Sequence, residues 1–263
     1  MRDQEFRLHL VCFASGAAVH FLNRGSLIAS ARKHDVDEIH AFEPDAIDPA
    51  FLQSQASILK QSKGGGYWLW KPYFILRTMT QAAEGDWVVY VDSGAVMRCA
   101  MRPLCQANSG TDAILFLNDY FNRDYCKRDT FVLMGADTAE FHNSRQLDAS
   151  LVFFKNNQQS RQFVKDWLTY CMDDRILTDD ANRCGLPNLP SFVTHRHDQS
   201  ILSLLFWREN RRLQYTLYPR SHKFRLIAHH RRRSDRMPIW LWHLSHDFFE
   251  SFFRRMYTYA SLR

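Results

Sequence analysis

The residues best suited to do chemistry surround an aspartate at the end of a short apolar run. Residues 87–91 read WVVYV, and Asp92, Ser93 and Gly94 follow directly. Such a run predicts a buried strand that presents the carboxylate of Asp92 at its carboxyl end, where Gly94 allows a sharp turn close to a ligand. A carboxylate there can hold Mg²⁺ or Mn²⁺, and the ion can neutralise a diphosphate. The alternative is that Asp92 only caps the next segment.

A glycine triplet, followed by aromatic residues and a lysine, lies one predicted helix before that strand. Residues 64–72 read GGGYWLWKP. Three glycines suit a mobile loop or a backbone that approaches a phosphate closely. Tyr67, Trp68 and Trp70 can stack on a base or a sugar, and Lys71 supplies a point charge suited to phosphate. The alternative is that the aromatic side chains belong to the hydrophobic core.

Two further segments place carboxylates beside predicted buried elements. Asp148 precedes the apolar run of residues 151–154, where it can point into a cleft or cap a loop. Asp198 and Gln199 stand where a helix is predicted to begin, and a carboxylate is favourable there as a cap. The polar group formed by residues 195–199, HRHDQ, is larger than a cap requires. We therefore keep both possibilities open for each carboxylate.

A pair of histidines near the carboxyl end offers a second type of metal ligand. Residues 240–247 read WLWHLSHD, with His243 and His246 three positions apart. If this segment is helical, the two imidazoles share a face and can bind a metal ion. The alternative is a pair of partly exposed histidines without a metal. The candidate metal ligands are thus Asp92 and His243.

The chemistry-bearing residues lie at the ends of strands and helices that alternate along the chain. Strands are predicted at residues 8–14, 36–42, 87–92, 112–117, 151–154 and 214–218. Helices are predicted at residues 17–33, 49–60, 72–84, 158–173 and 198–207. This alternation indicates an α/β fold with a Rossmann-like, mostly parallel sheet and helices on both faces. Ligands of such sheets bind at the carboxyl ends of strands, where Asp92 is predicted to lie.

Composition excludes several classes of protein. The 263 residues are 46% hydrophobic and 24% charged, which is typical of a globular protein and not of a disordered chain. The six cysteines form neither a C-x-x-C motif nor a zinc spacing, which predicts a reducing compartment and a cytoplasmic location. The amino end is charged, and no window holds 18 uncharged apolar residues. Neither a signal peptide nor a transmembrane span is predicted.

The order of the motifs resembles that of the GT-A glycosyltransferases, especially the group related to glycogenin and the lipopolysaccharide galactosyltransferases. That group has a basic residue on the helix before a strand ending in Y-x-D-x-D, then a segment similar to N-A-G-x-x-x-F, then a helix that opens with D-Q-D. The counterparts here are Lys71, residues 90–94 (YVDSG), residues 147–154 (LDASLVFF) and residues 197–200 (HDQS). The runs GGYWLWKP and YVDSG also resemble bacterial sugar-transfer proteins of surface-polysaccharide loci. The resemblance covers roughly residues 8–207.

The resemblance implies an enzyme that moves a sugar from a nucleotide-diphosphate sugar to a glycan or lipid-linked acceptor, in bacterial surface polysaccharide or lipopolysaccharide synthesis. The donor-binding residues that it implies are Phe13, Gly66, Tyr67, Trp68, Lys71, Asp92, Ser93 and Gly94. The catalytic candidates are Asp148, Asp198 and Gln199. Because Gly94 stands where the second Asp of D-x-D is expected, the need for Mn²⁺ or Mg²⁺ stays open. Asp148 also replaces the usual Asn, and Ser200 replaces the second Asp of D-Q-D.

Two other functions remain as alternatives. A nucleotidyltransferase on a similar sheet would carry a glycine-rich loop with a Lys or Arg directly after the first strand, but residues 14–19, ASGAAV, contain one glycine and no basic residue. A non-catalytic basic binding protein would leave Asp92 and Lys71 unexplained. We therefore expect no nucleic-acid partner.

The basic residues concentrate in the last third of the chain. The net charge is +6, and ten lysines and arginines lie between Arg208 and Arg236. A basic surface favours anionic partners such as nucleotides, nucleic acid or acidic lipids. We interpret residues 1–263 as a single domain with a basic, aromatic extension from about residue 208. This extension is predicted to contact the inner face of an anionic membrane peripherally; the alternative is that its aromatic residues pack on the domain.

Overall fold

The computed structural model describes residues 6–229, and a seven-stranded sheet forms the centre of that part of the chain. The strands are β1 (Leu8–Phe13), β2 (Glu38–Phe42), β3 (Trp87–Val91), β4 (Ala95–Met97), β5 (Ala113–Phe121), β6 (Arg145–Leu147), β7 (Leu151–Lys155), β8 (Tyr215–Tyr218) and β9 (Ile227–His229). The order in the sheet is β2-β1-β3-β7-β5-β6, with β8 paired to β5, while β4 and β9 form a separate antiparallel pair.

The connections between the strands are mostly helical. The helices are α1 (Ala18–Ala31), α2 (Pro49–Ser54), α3 (Ala56–Leu59), α4 (Gly64–Tyr67), α5 (Trp70–Gln81), α6 (Arg102–Ala107), α7 (Asn122–Tyr125), α8 (Arg128–Leu133), α9 (Ala139–His142), α10 (Gln158–Cys171), α11 (Asp174–Leu177), α12 (His197–Glu209) and α13 (Arg220–Leu226). Short 3-10 turns occupy Pro44–Ala46 and Asn210–Arg212. In the described residues, no helix is long and apolar enough to cross a membrane.

The directions of the strands confirm the predicted α/β fold with a mostly parallel sheet. Strands β2 and β3 run parallel to β1, and β8 runs parallel to β5. Strand β7 lies between β3 and β5 and is antiparallel to both, and β6 is antiparallel to β5. This reversal of β7 brings its beginning to the carboxyl end of β3.

Helices cover both faces of the sheet, as predicted. Alternate residues of each central strand enter two separate hydrophobic clusters, so that Val88 and Tyr90 of β3 face α5, α10 and α12, while Val89 and Val91 face α1 and α6. Every residue of β1 and β3 is buried. A strand that is buried on both faces has a continuous apolar sequence, which is why these two strands are recognisable from the sequence.

The elements that differ from the prediction are mostly short. The helix predicted at residues 49–60 is interrupted at Gln55, whose φ of −110° and ψ of 24° are not helical. The strand predicted to start at residue 36 begins at Glu38. Strands β4, β6 and β9 were not predicted, because three residues are too few to show a period of two. Residues 230–263, which contain His243 and most of the predicted extension, lie outside the described residues.

Candidate active site

The carboxyl end of β3 and the beginning of β7 form one wall of the site. Val91 is the register partner of Leu151, and the backbone N–H of Asp92 donates to the carbonyl of Ser150 at 2.9 Å. The segment Asp148–Ser150 therefore lies directly beside Asp92, although it is distant in sequence.

Lys71 lies at the centre of the site, in the first turn of α5. Its side chain is 4% exposed, and Nζ lies 2.7 Å from Oδ2 of Asp198 and 3.6 Å from Oδ1 of Asp92. The ammonium also donates to the carbonyl of Ala149 at 3.2 Å and lies 4.9 Å from the centre of the Tyr90 ring. One buried cation thus joins α5, the end of β3, the start of β7 and α12.

The charges of Lys71 and Asp198 depend on their burial. Burial by itself would lower the pKa of Lys71, but the carboxylates of Asp198 and Asp92 outweigh it and raise that pKa above its ordinary value, so the side chain is an ammonium ion. Burial raises the pKa of Asp198 to about 6, although Lys71 opposes the shift. An unpaired buried charge is strongly unfavourable, and each of these groups therefore requires the other.

Asp198 does not cap its helix. Arg196 occupies the cap position of α12, and its side chain makes no capping hydrogen bond. The Asp198 carboxylate instead lies against Lys71, and the indole N–H of Trp167 donates to the Asp198 carbonyl at 2.9 Å. The sequence left open whether Asp198 is a helix cap or a functional carboxylate. The cap is not observed, the carboxylate lies in a buried ion pair beside the smaller cavity, and its functional role stays a prediction.

The Asp92 carboxylate is oriented by Tyr90, which lies two residues before it. Tyr90 donates its hydroxyl to Oδ1 of Asp92 at 2.7 Å. Burial, reinforced by the negative charge of Asp92, raises the pKa of Tyr90 well above its ordinary value. The phenol therefore stays protonated and keeps its role as donor.

Asp148 belongs to a second buried ion pair, with Lys223 of α13 as its partner. The Lys223 ammonium contacts Asp148 Oδ2 and lies 3.1 Å from Oγ of Ser150 and 3.3 Å from Nε2 of His229. Asp148 Oδ1 accepts from the backbone and the hydroxyl of Ser150 at 2.9 and 2.5 Å. Burial would raise the pKa of Asp148, but Lys223 and these hydrogen bonds outweigh it and lower the pKa.

The glycine triplet forms a left-handed turn. The φ angles are 59° at Gly64, 60° at Gly65, 97° at Gly66, 51° at Tyr67 and 60° at Trp68. Consecutive left-handed residues are unfavourable for any residue other than glycine, so Tyr67 and Trp68 hold strained backbone. Strain of this kind persists only where the surroundings impose it, and it is common at ligand sites.

Packing explains why each glycine is needed in this turn. A Cβ atom at Gly64 would lie 2.5 Å from the Trp68 ring, and one at Gly65 would lie 2.6 Å from Oγ of Ser15. A Cβ atom at Gly66 would lie 2.8 Å from Cα of Leu59. The turn is therefore closely packed, and it directs the Trp68 ring towards His197, with the two rings stacked at 5.4 Å.

His197 is a further strained residue at the site, with a φ of 51°. Its Nδ1 lies 2.8 Å from the carbonyl of Leu177, and because a carbonyl only accepts, Nδ1 carries the proton. Burial lowers the pKa of His197 to about 4, so the imidazole is neutral at neutral pH.

Two adjoining cavities open at this edge of the sheet. The larger has a volume of about 490 Å³ and the smaller about 310 Å³, and Trp68 and Asp92 line both. The larger cavity is lined by Phe13, Ala14, Ser15, Gly16, Ala17, His20, Asn23, Ser62, Gly64, Gly65, Trp68, Trp70, Tyr90, Asp92, Ser93 and Gly94. The smaller is lined by Lys63, Trp68, Lys71, Asp92, Ala149, Ser150, Thr194, His195, Arg196, His197, Asp198 and Gln199. Both volumes fall in the range of small-molecule sites.

The sequence-derived candidates fall into three groups around these cavities. Those that line the larger cavity are Phe13, Trp68, Asp92, Ser93 and Gly94, and those that line the smaller one are Trp68, Lys71, Asp92, Asp198 and Gln199. Gly66, Tyr67 and Asp148 are buried and line neither.

Gln199 donates Nε2–H to Gln146 Oε1 at 2.8 Å and accepts from the Ala149 backbone at 3.4 Å, which fixes its amide.

Several residues of the site were not predicted. Ser15 and Gly16 line the larger cavity because they connect β1 to the amino end of α1. Lys223 was assigned to a basic surface, and the structure corrects this assignment, because its side chain is 2% exposed and paired with Asp148. The proximity of Lys223 to Asp148 depends on the path of the chain through β8 and α13, for which the local sequence gives no signal.

Among the described residues that line the larger cavity, Asp92 is the one that offers a carboxylate to a divalent cation. Gly94 has no side chain to supply a second ligand. Mg²⁺ commonly binds through one or two carboxylates together with substrate phosphates, so Asp92 is the residue that would hold such an ion. Lys71 already lies 3.6 Å from Asp92 and provides positive charge of its own.

Comparison with known proteins gives similarities of low degree. One similar structure is mouse xyloside xylosyltransferase 1 in its apo form, with a TM-score of 0.45 and 9% identity, covering 80% of this chain and 84% of that chain. Another is the apo structure of the bifunctional glycosyltransferase WbbM, with a TM-score of 0.46 and 11% identity, covering 82% of this chain and 39% of that chain. No family model matches the chain, and no curated protein matches it. We therefore infer the function from the residues of the site.

The left-handed turn gives a prediction for stability. Gly66→Ala introduces a side chain at a φ of 97° and 2.8 Å from Leu59 Cα, and we expect it to lower the free energy of unfolding by about 2 kcal/mol. Urea denaturation measures the change. Gly110→Ala is the matched control, because a Cβ atom there meets nothing within 4 Å, and its change should stay within about 0.5 kcal/mol. Equal effects of the two substitutions would contradict the proposed strain.

The second ion pair gives a prediction for stability and its pH dependence. Lys223→Met leaves Asp148 buried without its cation, and we expect a loss of about 3 kcal/mol at neutral pH. The pKa of Asp148 is lowered from 3.8 in the folded protein, so the stabilisation is present above that value and is lost as the pH falls below it. The difference between wild type and variant should therefore shrink in acid.

Three further variants, Lys165→Met, Asp148→Asn and the double variant of Lys223 and Asp148, test this interpretation by urea denaturation. Lys165→Met, at an exposed position of α10, should change the free energy of unfolding by less than about 0.5 kcal/mol. The double variant Lys223→Met/Asp148→Asn should be more stable than Lys223→Met alone, because it removes the unpaired charge. A double variant that is less stable by the sum of the two single losses would show that the residues do not interact.

Proposed function

We propose that the protein is a GT-A type glycosyltransferase, a single domain that transfers a sugar from a nucleotide-diphosphate sugar to a hydroxyl acceptor. The observation that carries the proposal is the pair of adjoining cavities at the carboxyl edge of the sheet. They share Trp68 and Asp92, and the Lys71–Asp198 ion pair lies in the wall of the smaller one.

The larger cavity suits the nucleoside. Phe13 and Trp70 stack in its wall with ring centres 4.0 Å apart, and Trp68 contributes a third aromatic ring. Aromatic rings bind bases and riboses through stacking. The described residues that line this cavity include no Lys or Arg, which disfavours a triphosphate in it. This observation argues against the nucleotidyltransferase alternative.

The junction of the cavities suits the diphosphate. Lys63, Lys71 and Arg196 all line the smaller cavity, whose acidic residues are Asp92 and Asp198. The α1 amino end also lies at the larger cavity through Gly16 and Ala17, and backbone N–H groups at a helix start favour anions. A diphosphate at Asp92 would thus meet cations on the side of the smaller cavity. Should the reaction use Mn²⁺ or Mg²⁺, Asp92 would hold it.

The smaller cavity suits the transferred sugar. In the transfer, the bond between the anomeric carbon and the diphosphate oxygen breaks, and a bond from that carbon to the acceptor oxygen forms. The nucleoside diphosphate leaves, and the acceptor proton passes to a carboxylate base or to the leaving phosphate. We propose Asp198 as the carboxylate facing the sugar and Gln199 as a polar contact, because both line this cavity. Asp148 is assigned a positioning role, since it lines neither cavity.

A glycan or lipid-linked acceptor of bacterial surface polysaccharide synthesis, and a peripheral contact with an anionic membrane, remain part of the proposal. Some basic residues of the described part are paired within the protein, since Arg208 contacts Glu209 and Tyr170, and Lys223 contacts Asp148. Others, such as Arg225, are exposed and would be available to a membrane contact. A non-catalytic basic binding protein would leave the two buried ion pairs unexplained.

The proposal predicts that nucleoside diphosphates bind at Asp92. A thermal-shift series of nucleoside diphosphates and nucleotide sugars should identify a stabilising nucleotide, and Asp92→Ala should weaken its affinity about tenfold or more, which corresponds to ~1.4 kcal/mol. Each titration is repeated with Mn²⁺ and with a chelator to decide whether an ion contributes.

The matched control for this titration is Asp166→Ala. Asp166 lies on α10 at an exposed hydrogen bond to Gln162, away from both cavities, and the variant should bind as the wild type does. Wild-type affinity in Asp92→Ala, or the absence of any nucleotide response in the wild type, would reject the assignment of the larger cavity.

The proposal also predicts the pH dependence of transfer. A base must be ionised to accept a proton, so kcat/KM should fall as the pH drops through about 6, the value to which burial raises the pKa of Asp198. Asp198→Asn should lower kcat by about 10² or more and remove this limb from the residual rate. His20→Gln should retain the limb, because His20 lines the larger cavity, whereas Asp198 lines the smaller one. A limb that persists in Asp198→Asn would assign it to another group.

A further inference from the structure

A cluster of two histidines and a glutamate lies at the opposite edge of the sheet from the cavities. His9 on β1 is the register partner of Glu38 on β2, and His40 follows two residues after Glu38. Residues two apart on a strand point to the same face, which brings the three side chains together. Within residues 6–229, this is the one group of three or more His, Cys, Asp or Glu residues whose ligand atoms all lie within 4.8 Å of one another.

The separations of the three side-chain atoms fit a tetrahedral metal ion. His9 Nδ1 lies 3.0 Å from His40 Nε2 and 3.5 Å from Glu38 Oε2, and the latter two atoms are 3.7 Å apart. Zinc bonds to nitrogen and oxygen are about 2.0–2.1 Å long, which places neighbouring ligand atoms of a tetrahedron about 3.3–3.4 Å apart. The three measured separations bracket that value, so an ion could be accommodated with small shifts.

A fourth residue orients His9 in the way that metal sites require. The other ring nitrogen of His9, Nε2, lies 3.1 Å from Asp86 Oδ2. The Asp86 carboxylate is fixed in turn by the backbone N–H of Arg7 at 2.8 Å and of Ala83 at 3.0 Å. Since the carboxylate accepts, Nε2 carries the proton and the lone pair of His9 Nδ1 points towards His40 and Glu38. Carboxylate–histidine–metal arrangements of this type are typical of zinc sites.

We propose that His9, His40 and Glu38 form a zinc-binding site at the amino edge of the sheet, with Asp86 orienting His9. The side chains are 4%, 20% and 36% exposed, respectively, so an ion can enter from solvent and a water molecule can complete its coordination. Arg7 contacts the other oxygen of Glu38, Oε1, and leaves Oε2 directed towards the histidines. The site is separate from the proposed sugar-transfer site and does not depend on that function.

The experiment uses the full chain without a histidine tag, freed of metal by chelation. Zn²⁺ is titrated by calorimetry, and Co²⁺ is titrated as a spectroscopic probe of tetrahedral coordination. We expect the wild-type protein to bind one more Zn²⁺ ion than the His40→Ala variant binds. Zn²⁺ should raise the unfolding temperature of the wild type but not that of His40→Ala. Glu38→Gln should fold and should bind that Zn²⁺ at least tenfold more weakly.

The matched control is His142→Ala. His142 also pairs with a carboxylate, Asp137 Oδ1 at 2.8 Å, but it belongs to no three-ligand group in the described residues. This variant should bind Zn²⁺ as the wild type does. Equal Zn²⁺ stoichiometry and affinity in wild type, His40→Ala and Glu38→Gln would overturn the proposal, as would a wild-type protein that neither binds Zn²⁺ nor gains stability from it. If His40→Ala fails to fold, Glu38→Gln alone decides.

Discussion

The structure of the candidate site depends on the burial of one ammonium ion. Lys71 is almost fully enclosed, and its charge is balanced by Asp198 at 2.7 Å and Asp92 at 3.6 Å. Removing such a cation from water is unfavourable unless its partners are in place. The start of α5, the end of β3 and the start of α12 must therefore assemble together. The same requirement keeps the two carboxylates close together beside the cavities, where they would otherwise repel one another.

The reversed strand β7 makes this assembly possible. A parallel strand beside β3 would begin at the opposite edge, but antiparallel β7 begins where β3 ends. The residues directly before β7 consequently supply the Ala149 carbonyl to Lys71 and the Ser150 carbonyl to the Asp92 backbone. Asp148 lies at the same edge, and Lys223 neutralises its charge. The edge thus holds two buried ion pairs that share a backbone segment, and the charge of Asp148 also helps to raise the pKa of Lys71, after the larger contributions of Asp198 and Asp92.

The sequence predicts the elements whose hydrophobic pattern is local and extends over enough residues to be recognised. Strands β1 and β3 are continuous apolar runs, and the placement of Asp92 after β3 follows directly. The ion pairs of Asp198 and Lys223 were harder to predict, because a cap and a basic surface are the ordinary explanations of such residues, and their partners Lys71 and Asp148 are distant in sequence. The left-handed conformation of Tyr67 and Trp68 could not be predicted, because intrinsic preferences oppose it; only the glycines before them hint at it. Whether the candidate residues bind a nucleotide sugar stays a prediction.

Strand β1 connects the two proposed sites, since His9 lies near its amino end and Phe13 at its carboxyl end. Four residue steps along the strand place them about 13 Å apart. Coupling between two sites requires a structural element that has two alternative arrangements, and ligands at both sites must shift the equilibrium between them. Strand β1 is buried along its whole length between two parallel neighbours. Such a strand has one packed arrangement. Zinc at His9 would therefore stabilise the fold by tying β1 to β2, while nucleotide at Phe13 would stabilise it independently, and the two contributions to stability should add.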